Sequence, residues 1–140
     1  MSARVEFLTP VDPIAPAIIG ASVHIQRLRD MIEAVARTSL SVLVQGPTGA
    51  GKELVAAALH KHSGRRGPLV PFNVCAISDT MFEDALFGHV RGAFTGALQD
   101  SAGFLREAHG GTIFLDEISG LPPVQQAKLL RAVETGVFRP

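Results

Sequence analysis

The sequence predicts an α/β fold with a parallel sheet, and three observations carry that expectation. Short apolar runs recur at residues 41–45, 69–75 and 112–116. Segments with apolar residues at helical spacing alternate with these runs. The runs are nearly continuous rather than alternating in polarity, which is how strands covered on both faces read. Strands interleaved with helices imply crossover connections, hence parallel pairing with flanking helices.

The elements follow in order. Residues 1–17 hold Pro10, Pro13 and Pro16 and show no period, so they read as a linker or tail. Residues 18–140 are expected to carry the fold. A helix fits residues 23–37, with Ile25, Leu28, Ile32, Val35 and Ala36 on one face and Ser22 as its candidate cap. Residues 41–45 read as a buried strand that Gly46-Pro47 ends. A second helix fits residues 52–62, with Leu54, Val55, Ala58 and Leu59 apolar, and Gly64 and Gly67 close that unit. Residues 69–75 read as a second strand, placed at an edge by Pro71, which has no N–H to give a ladder. A short helix over residues 79–87 precedes a glycine-rich loop. Residues 112–116 form a third buried strand. Pro122 suits the first turn of a last helix whose apolar face reads Val124, Ala127, Leu130 and Val133.

The 140 residues suffice for one domain with a core. Thirteen basic and thirteen acidic residues balance, so no global field steers the chain to nucleic acid or membrane. Arg65-Arg66 reads as a solvated turn. The one cysteine, Cys75, sits in an apolar run and reads as a small buried residue that cannot make an internal disulfide. No signal pattern opens the chain and no apolar run reaches membrane-spanning length. These features lead to the expectation of a soluble, cytoplasmic protein. His60 and His62 are two apart on a helix and do not face each other, so the five histidines read as structural or surface groups, with His89 shaping the base of the glycine-rich loop.

Two segments carry chemistry. Gly46-Pro47-Thr48-Gly49-Ala50-Gly51-Lys52-Glu53 follows an expected strand and opens an expected helix. That is the setting of a phosphate-binding loop. Its glycines let backbone N–H groups turn toward phosphate oxygens, the helix terminus favours an anion, and Lys52 supplies a point charge. A plain glycine-rich strand-to-helix turn is the alternative. Glu53 stands where the general pattern has Ser or Thr; it loses a hydroxyl ligand for Mg²⁺ but keeps a hard oxygen donor. Asp116 and Glu117 close the third strand, at the end where parallel sheets bind ligands. Asp116 is a candidate Mg²⁺ ligand, directly or through water. Glu117 is a candidate for orienting and deprotonating an attacking water. Ordinary strand-end acids are the alternative there.

The six residues Gly92-Ala93-Phe94-Thr95-Gly96-Ala97 have almost no side chains with which to build a helix or strand face. Two glycines favour a loop, and Phe94 is a large apolar group carried on it. A partner-contact loop and a buried turn both fit these residues.

With those residues in place, the chain resembles the AAA+ ATPase domain of sigma-54-dependent transcriptional activators, the bacterial enhancer-binding proteins. The resemblance runs from about Ile18 to Pro140. It rests on the phosphate loop with its Glu53, on Leu86-Phe87-Gly88-His89 leading into GAFTGA, on Gly110-Gly111-Thr112 before Asp116-Glu117, and on Gln126-Ala127-Lys128-Leu129-Leu130-Arg131. It implies a P-loop NTPase fold, ATP and Mg²⁺ as ligands, and a ring of subunits, usually six, that hydrolyses ATP between neighbours. It also implies sigma-54 RNA polymerase as the partner, remodelled so that promoter DNA can melt. By matching position, Phe94 and Thr95 would touch sigma-54, Asn73 would sense nucleotide state and restrain Glu117, and Ile19 and Gly20 would line the adenine.

The chain departs from the family pattern in places. Pro47 replaces a usual acidic residue, and Ala85 replaces a usual glutamate before the Leu-Phe-Gly-His stretch. The family's domain is expected to continue past residue 140 with a sensor strand, trans-acting arginines, a lid and usually a DNA-binding helix-turn-helix. Two of those later strands would pair with residues 41–45, so the sheet is expected to be incomplete at the C-terminus. Two functional readings result: an ATPase that drives transcription, or a nucleotide- and sigma-54-binding module without turnover.

Overall fold

The computed structural model describes residues 18–93 and 95–135. The chain divides into two compact units, Met1–Gly64 and Arg65–Pro140. The expected linker at residues 1–17 lies outside the described residues.

The first unit holds two packed helices, α1 (Val23–Ala36) and α2 (Lys52–Ser63). Ser22 caps α1 as expected: its Oγ accepts from the Ile25 N–H at 3.3 Å. Ile32 and Ala36 are buried and Ile25, Leu28 and Val35 half-buried, which is the apolar stripe the spacing predicts. In α2 the buried residue is Ala56, while Leu54 is exposed, a correction to the face expected there.

Residues 41–45 are not a strand. A strand exists through its ladder, and no described residue pairs with this run. Leu43 is 66% exposed and Val42 46% exposed, so the expectation of burial fails with it.

The second unit is built on two parallel strands, β1 (Leu69–Asn73) and β2 (Thr112–Asp116), in register from Leu69 opposite Thr112 to Asn73 opposite Asp116. Pro71 faces Phe114 in this two-stranded pair, an edge position as predicted. The second strand was expected to reach residue 75 but stops at Asn73. The Asn73 Oδ1 accepts from the Cys75 N–H at 2.9 Å and turns the chain into a 3₁₀ turn, Val74–Ala76. That turn leaves Cys75 exposed, against the expectation of a buried thiol. β2 is half-buried along its whole length rather than buried.

Between the strands lie α3 (Asp79–Phe87) and α4 (Gly103–Glu107). α4 has only five residues, too few to show a period, and the sequence did not suggest it. It supplies Phe104, whose ring lies 4.6 Å from that of Phe72 on β1. Phe82 and Leu86 from α3 and Val74 are fully buried, joined by Phe72, Leu121 and Leu129 in one core. Each such side chain contributes on the order of 1.5–3 kcal/mol through removal from water.

The last helix, α5 (Pro123–Thr135), corrects two expectations. Pro122 precedes the helix and accepts from Gln125 and Gln126 N–H at 3.0 Å each, leaving Pro123 as the first helical residue. The buried face is Gln125, Leu129 and Ala132, whereas Val124, Ala127, Leu130 and Val133 are exposed. Residues spaced by three drift by about 60° per step, so four of them sweep about half the helix circumference rather than marking one stripe. Gln125 is buried because its Nε2 donates to the Asp79 carbonyl at 2.9 Å, tying α5 to α3.

Candidate functional site

The phosphate-type loop belongs to the first unit. Gly51 adopts φ 84°, ψ 28° at the start of α2, and Gly49 has φ 81°. Both sit in the left-handed region, which side chains with a Cβ avoid. α2 has no side-chain cap, so no hydroxyl or carboxylate competes for its first-turn N–H groups. The turn is closed by Ala50 N–H to Pro47 O at 3.1 Å. Lys52 folds back over it, its Nζ donating to the carbonyls of Gly46 and Pro47 at 3.2 Å each. The ammonium thus sits over the mouth of the loop, beside the N-terminus of a twelve-residue helix. An ammonium and an uncapped helix N-terminus at one place are the kind of features that attract an anion. Thr48 and Glu53 are exposed on this rim.

Ile18, Ile19 and Gly20 lead into α1. Arg29 ties this segment down, with Nε donating to Ile18 O at 2.9 Å and Nη2 to the same oxygen. Ile19 is left 88% exposed. A Cβ on Gly20 would stand 3.0 Å from Ile25 Cγ1, so the backbone there runs close against the helix. Arg29 was not singled out by the sequence, in which it reads as one more polar-face residue.

The second unit holds the carboxylates. Parallel register places Asn73 beside Asp116 at the same end of the two strands, and Glu117 follows directly. Asp116 is half-buried and Glu117 exposed. Glu117 has φ 58° and ψ 34°, the one non-glycine residue with positive φ among those described. Its N–H donates to Asp116 Oδ1 at 2.9 Å, and its carbonyl accepts from Gly120 N–H at 2.9 Å and from Cys75 Sγ at 3.4 Å. Left-handed backbone in a residue with a long side chain is sparsely populated and persists where the surroundings impose it. Among the described residues no three His, Cys, Asp or Glu side chains gather as a metal set.

The GAFTGA segment is a hydrogen-bonded ribbon rather than a slack tether. His89 and Ser101 exchange N–H···O bonds at 2.9 and 2.8 Å as an antiparallel bridge. Arg91 N–H donates to Asp100 Oδ1 at 2.6 Å, and Gly92 N–H to Ala97 O at 3.0 Å. Gly92 and Gly96 have φ of 83° and 104°. Ala97 is buried, while Ala93, Thr95 and Gly96 are exposed, with Val90 and Leu98 exposed to either side. Phe94 lies outside the described residues. At the base, Gly88 N–H donates to Asp84 O at 2.8 Å and His89 Nδ1 contacts Asp84 Oδ1, as expected of a histidine that shapes the loop. Asp84 and Asp100 were missed by sequence reasoning, since their contacts with loop residues outside a regular element leave no period.

Among the described residues no helix is long and apolar enough to cross a membrane. The chain is 49% identical over 128 residues to the transcriptional regulator VasH of Vibrio cholerae serotype O1, covering 91% of this chain and 24% of that protein. It is 52% identical over 120 residues to the anaerobic nitric oxide reductase transcription regulator NorR of Vibrio vulnificus, covering 85% of this chain and 24% of that one. It therefore spans about a quarter of the length of the curated relatives it matches. Among solved structures, NtrX of Brucella abortus superposes with a TM-score of 0.73 at 40% identity, over 86% of this chain and 26% of NtrX. NtrX has also been solved in complex with ATP, where the TM-score is 0.69 over 83% of this chain and 26% of NtrX. The fold class is accordingly α/β of the P-loop NTPase, AAA+ type. The family model of the sigma-54 interaction domain matches residues 18–140, and the chain belongs to that family of transcriptional regulator domains.

Proposed function

We propose that this chain binds ATP with Mg²⁺ and, within a ring of like subunits, couples ATP hydrolysis to the remodelling of sigma-54 RNA polymerase. The observation that carries the reading is the uncapped N-terminus of α2 with Lys52 folded over it. The residues fit a polyphosphate: two left-handed glycines, open first-turn N–H groups and one ammonium. Gly46, Pro47, Thr48, Gly49, Ala50 and Gly51 would wrap the phosphates, and Ile19 and Gly20 would line the base. Asp116 and Glu53 offer hard carboxylate oxygens, and Mg²⁺, when bound, would neutralise charge on the phosphates. Glu117 would orient the attacking water and take its proton, with Asn73 restraining it. Phe94 and Thr95, on the loop from Gly92 to Ala97, would contact sigma-54. Residues 18–140 would be the working domain, residues 1–17 a linker, and the cytoplasm the compartment.

The name that NtrX carries with ATP bound and the family description both support the reading. The test is a titration of the chain with a fluorescent ATP analogue and with purified sigma-54. Binding of both is expected. Failure of the chain to bind the nucleotide would refute the reading, and turnover in the same samples separates an ATPase from a binding module.

A further inference from the structure

We propose that Cys75 and Gly120 are positioning residues for Glu117, acting together through one contact. The proposal rests on the reading of Glu117 as the water-orienting carboxylate. Its starting point is the left-handed backbone of Glu117, which local sequence does not favour and which something must hold.

Three hydrogen bonds hold it, and two converge on its carbonyl oxygen. One is from Gly120 N–H at 2.9 Å and the other from the Cys75 thiol at 3.4 Å, a normal reach for sulfur. Cys75 is itself fixed, because its N–H donates to Asn73 Oδ1 at 2.9 Å. Asn73, Cys75, Glu117 and Gly120 thus form one linked set between the end of β1 and the end of β2.

Gly120 belongs to the set by its size. Its φ lies outside the left-handed region, so its backbone does not require glycine. Its space does: a Cβ there would stand 2.3 Å from Cys75 Sγ but 4.0 Å from Cys75 Cβ. The missing methyl group is the room in which the thiol reaches the Glu117 carbonyl. Adding it pushes the sulfur away and leaves the Glu117 carbonyl held by the Gly120 N–H alone, so that peptide is less firmly fixed. Rotation of the peptide after Glu117 turns the residue's own backbone, and with it the direction of its carboxylate. A shift of that kind changes the catalytic step and leaves nucleotide binding alone, because the phosphate loop belongs to another segment of the chain.

The geometry makes an unusual prediction about a pair of variants. Cys75→Ala should lower kcat for ATP about two- to fivefold, the scale of one weak S–H···O bond. Gly120→Ala should lower it at least as much, because the displaced sulfur loses the same bond and must also crowd its neighbours. The double variant Cys75→Ala/Gly120→Ala should recover to the level of Cys75→Ala alone, since the new methyl group then meets only a Cβ at an ordinary distance. Cys75→Ser should stay near wild type. KM and the affinity for a fluorescent ATP analogue should be unchanged throughout, which a general loss of folding would not allow.

The assay is steady-state ATP hydrolysis by the intact protein that carries this domain, with Glu117→Gln alongside. A wild-type kcat in Gly120→Ala, or losses that multiply in the double variant, would overturn the proposal while an inactive Glu117→Gln still upheld the role of the carboxylate. A Glu117→Gln protein that turns over normally would overturn both.

Discussion

Gly88 and Gly103 pass backbone against backbone at the root of the GAFTGA ribbon. A Cβ on Gly103 would stand 2.4 Å from the Gly88 nitrogen, and one on Gly88 would stand 2.2 Å from the Ser101 carbonyl oxygen. Both residues also have left-handed φ, 77° and 71°. Gly103→Ala therefore strains the backbone and forces the two chain segments apart. We expect a loss of about 2–4 kcal/mol in urea unfolding, together with faster proteolysis between Val90 and Leu98. An unchanged cleavage rate would show that the crossing does not hold the ribbon.

Lys52→Ala removes the ammonium that lies over the glycine-rich loop, which we propose binds phosphate. Hydrogen bonds to charged groups contribute about 1.5–3 kcal/mol, so the Kd for an ATP analogue should rise by about ten- to a hundredfold. The helix should survive, because Lys52 lies at its first position and its Nζ bonds only carbonyls of the preceding loop. Circular dichroism checks that second point.

Glu117→Gln keeps the length of the side chain and removes its basicity. In the intact protein the variant should bind ATP as the wild type does and hydrolyse it about 10²–10⁴-fold more slowly. Single-turnover kinetics with labelled ATP measures it.

Thr95→Ala alters an exposed side chain on a ribbon held by the Gly92 N–H to Ala97 carbonyl bond and the His89–Ser101 bridge. Stability and ATP hydrolysis should stay within error of wild type, and sigma-54 capture should fall. Full capture by the variant would mean that the loop's contact does not pass through Thr95.

Much of this architecture was legible in the sequence, and the exceptions share a physical cause. α1 was readable because five apolar residues and a serine cap agree on one helix. The turn into α2 was readable because glycines punctuate the chain just before a helical apolar pattern. Residues 41–45 misled because composition reports the liking of a strand for burial, whereas a strand is defined by its neighbour. α5 misled because apolar residues surround it, and only packing selects Leu129 and Ala132 over Leu130 and Val133. The contact of the Cys75 thiol with the Glu117 carbonyl was not legible, since it crosses more than forty residues of chain.

The unladdered run at residues 41–45 should also affect how the chain behaves in a test tube. The fourteen residues from Thr38 to Gly51 carry no charge, and the whole chain has a formal net charge of zero at pH 7. Leu40, Val42 and Leu43 face water on open backbone. Neither local nor global repulsion keeps two such molecules apart, and an extended apolar segment is a template for intermolecular pairing. Light scattering at neutral pH should rise with concentration, and Val42→Lys should suppress it. If that holds, self-association is set in part by one short stretch of main chain and can be changed by a single charge placed away from Lys52, Glu117 and the GAFTGA ribbon.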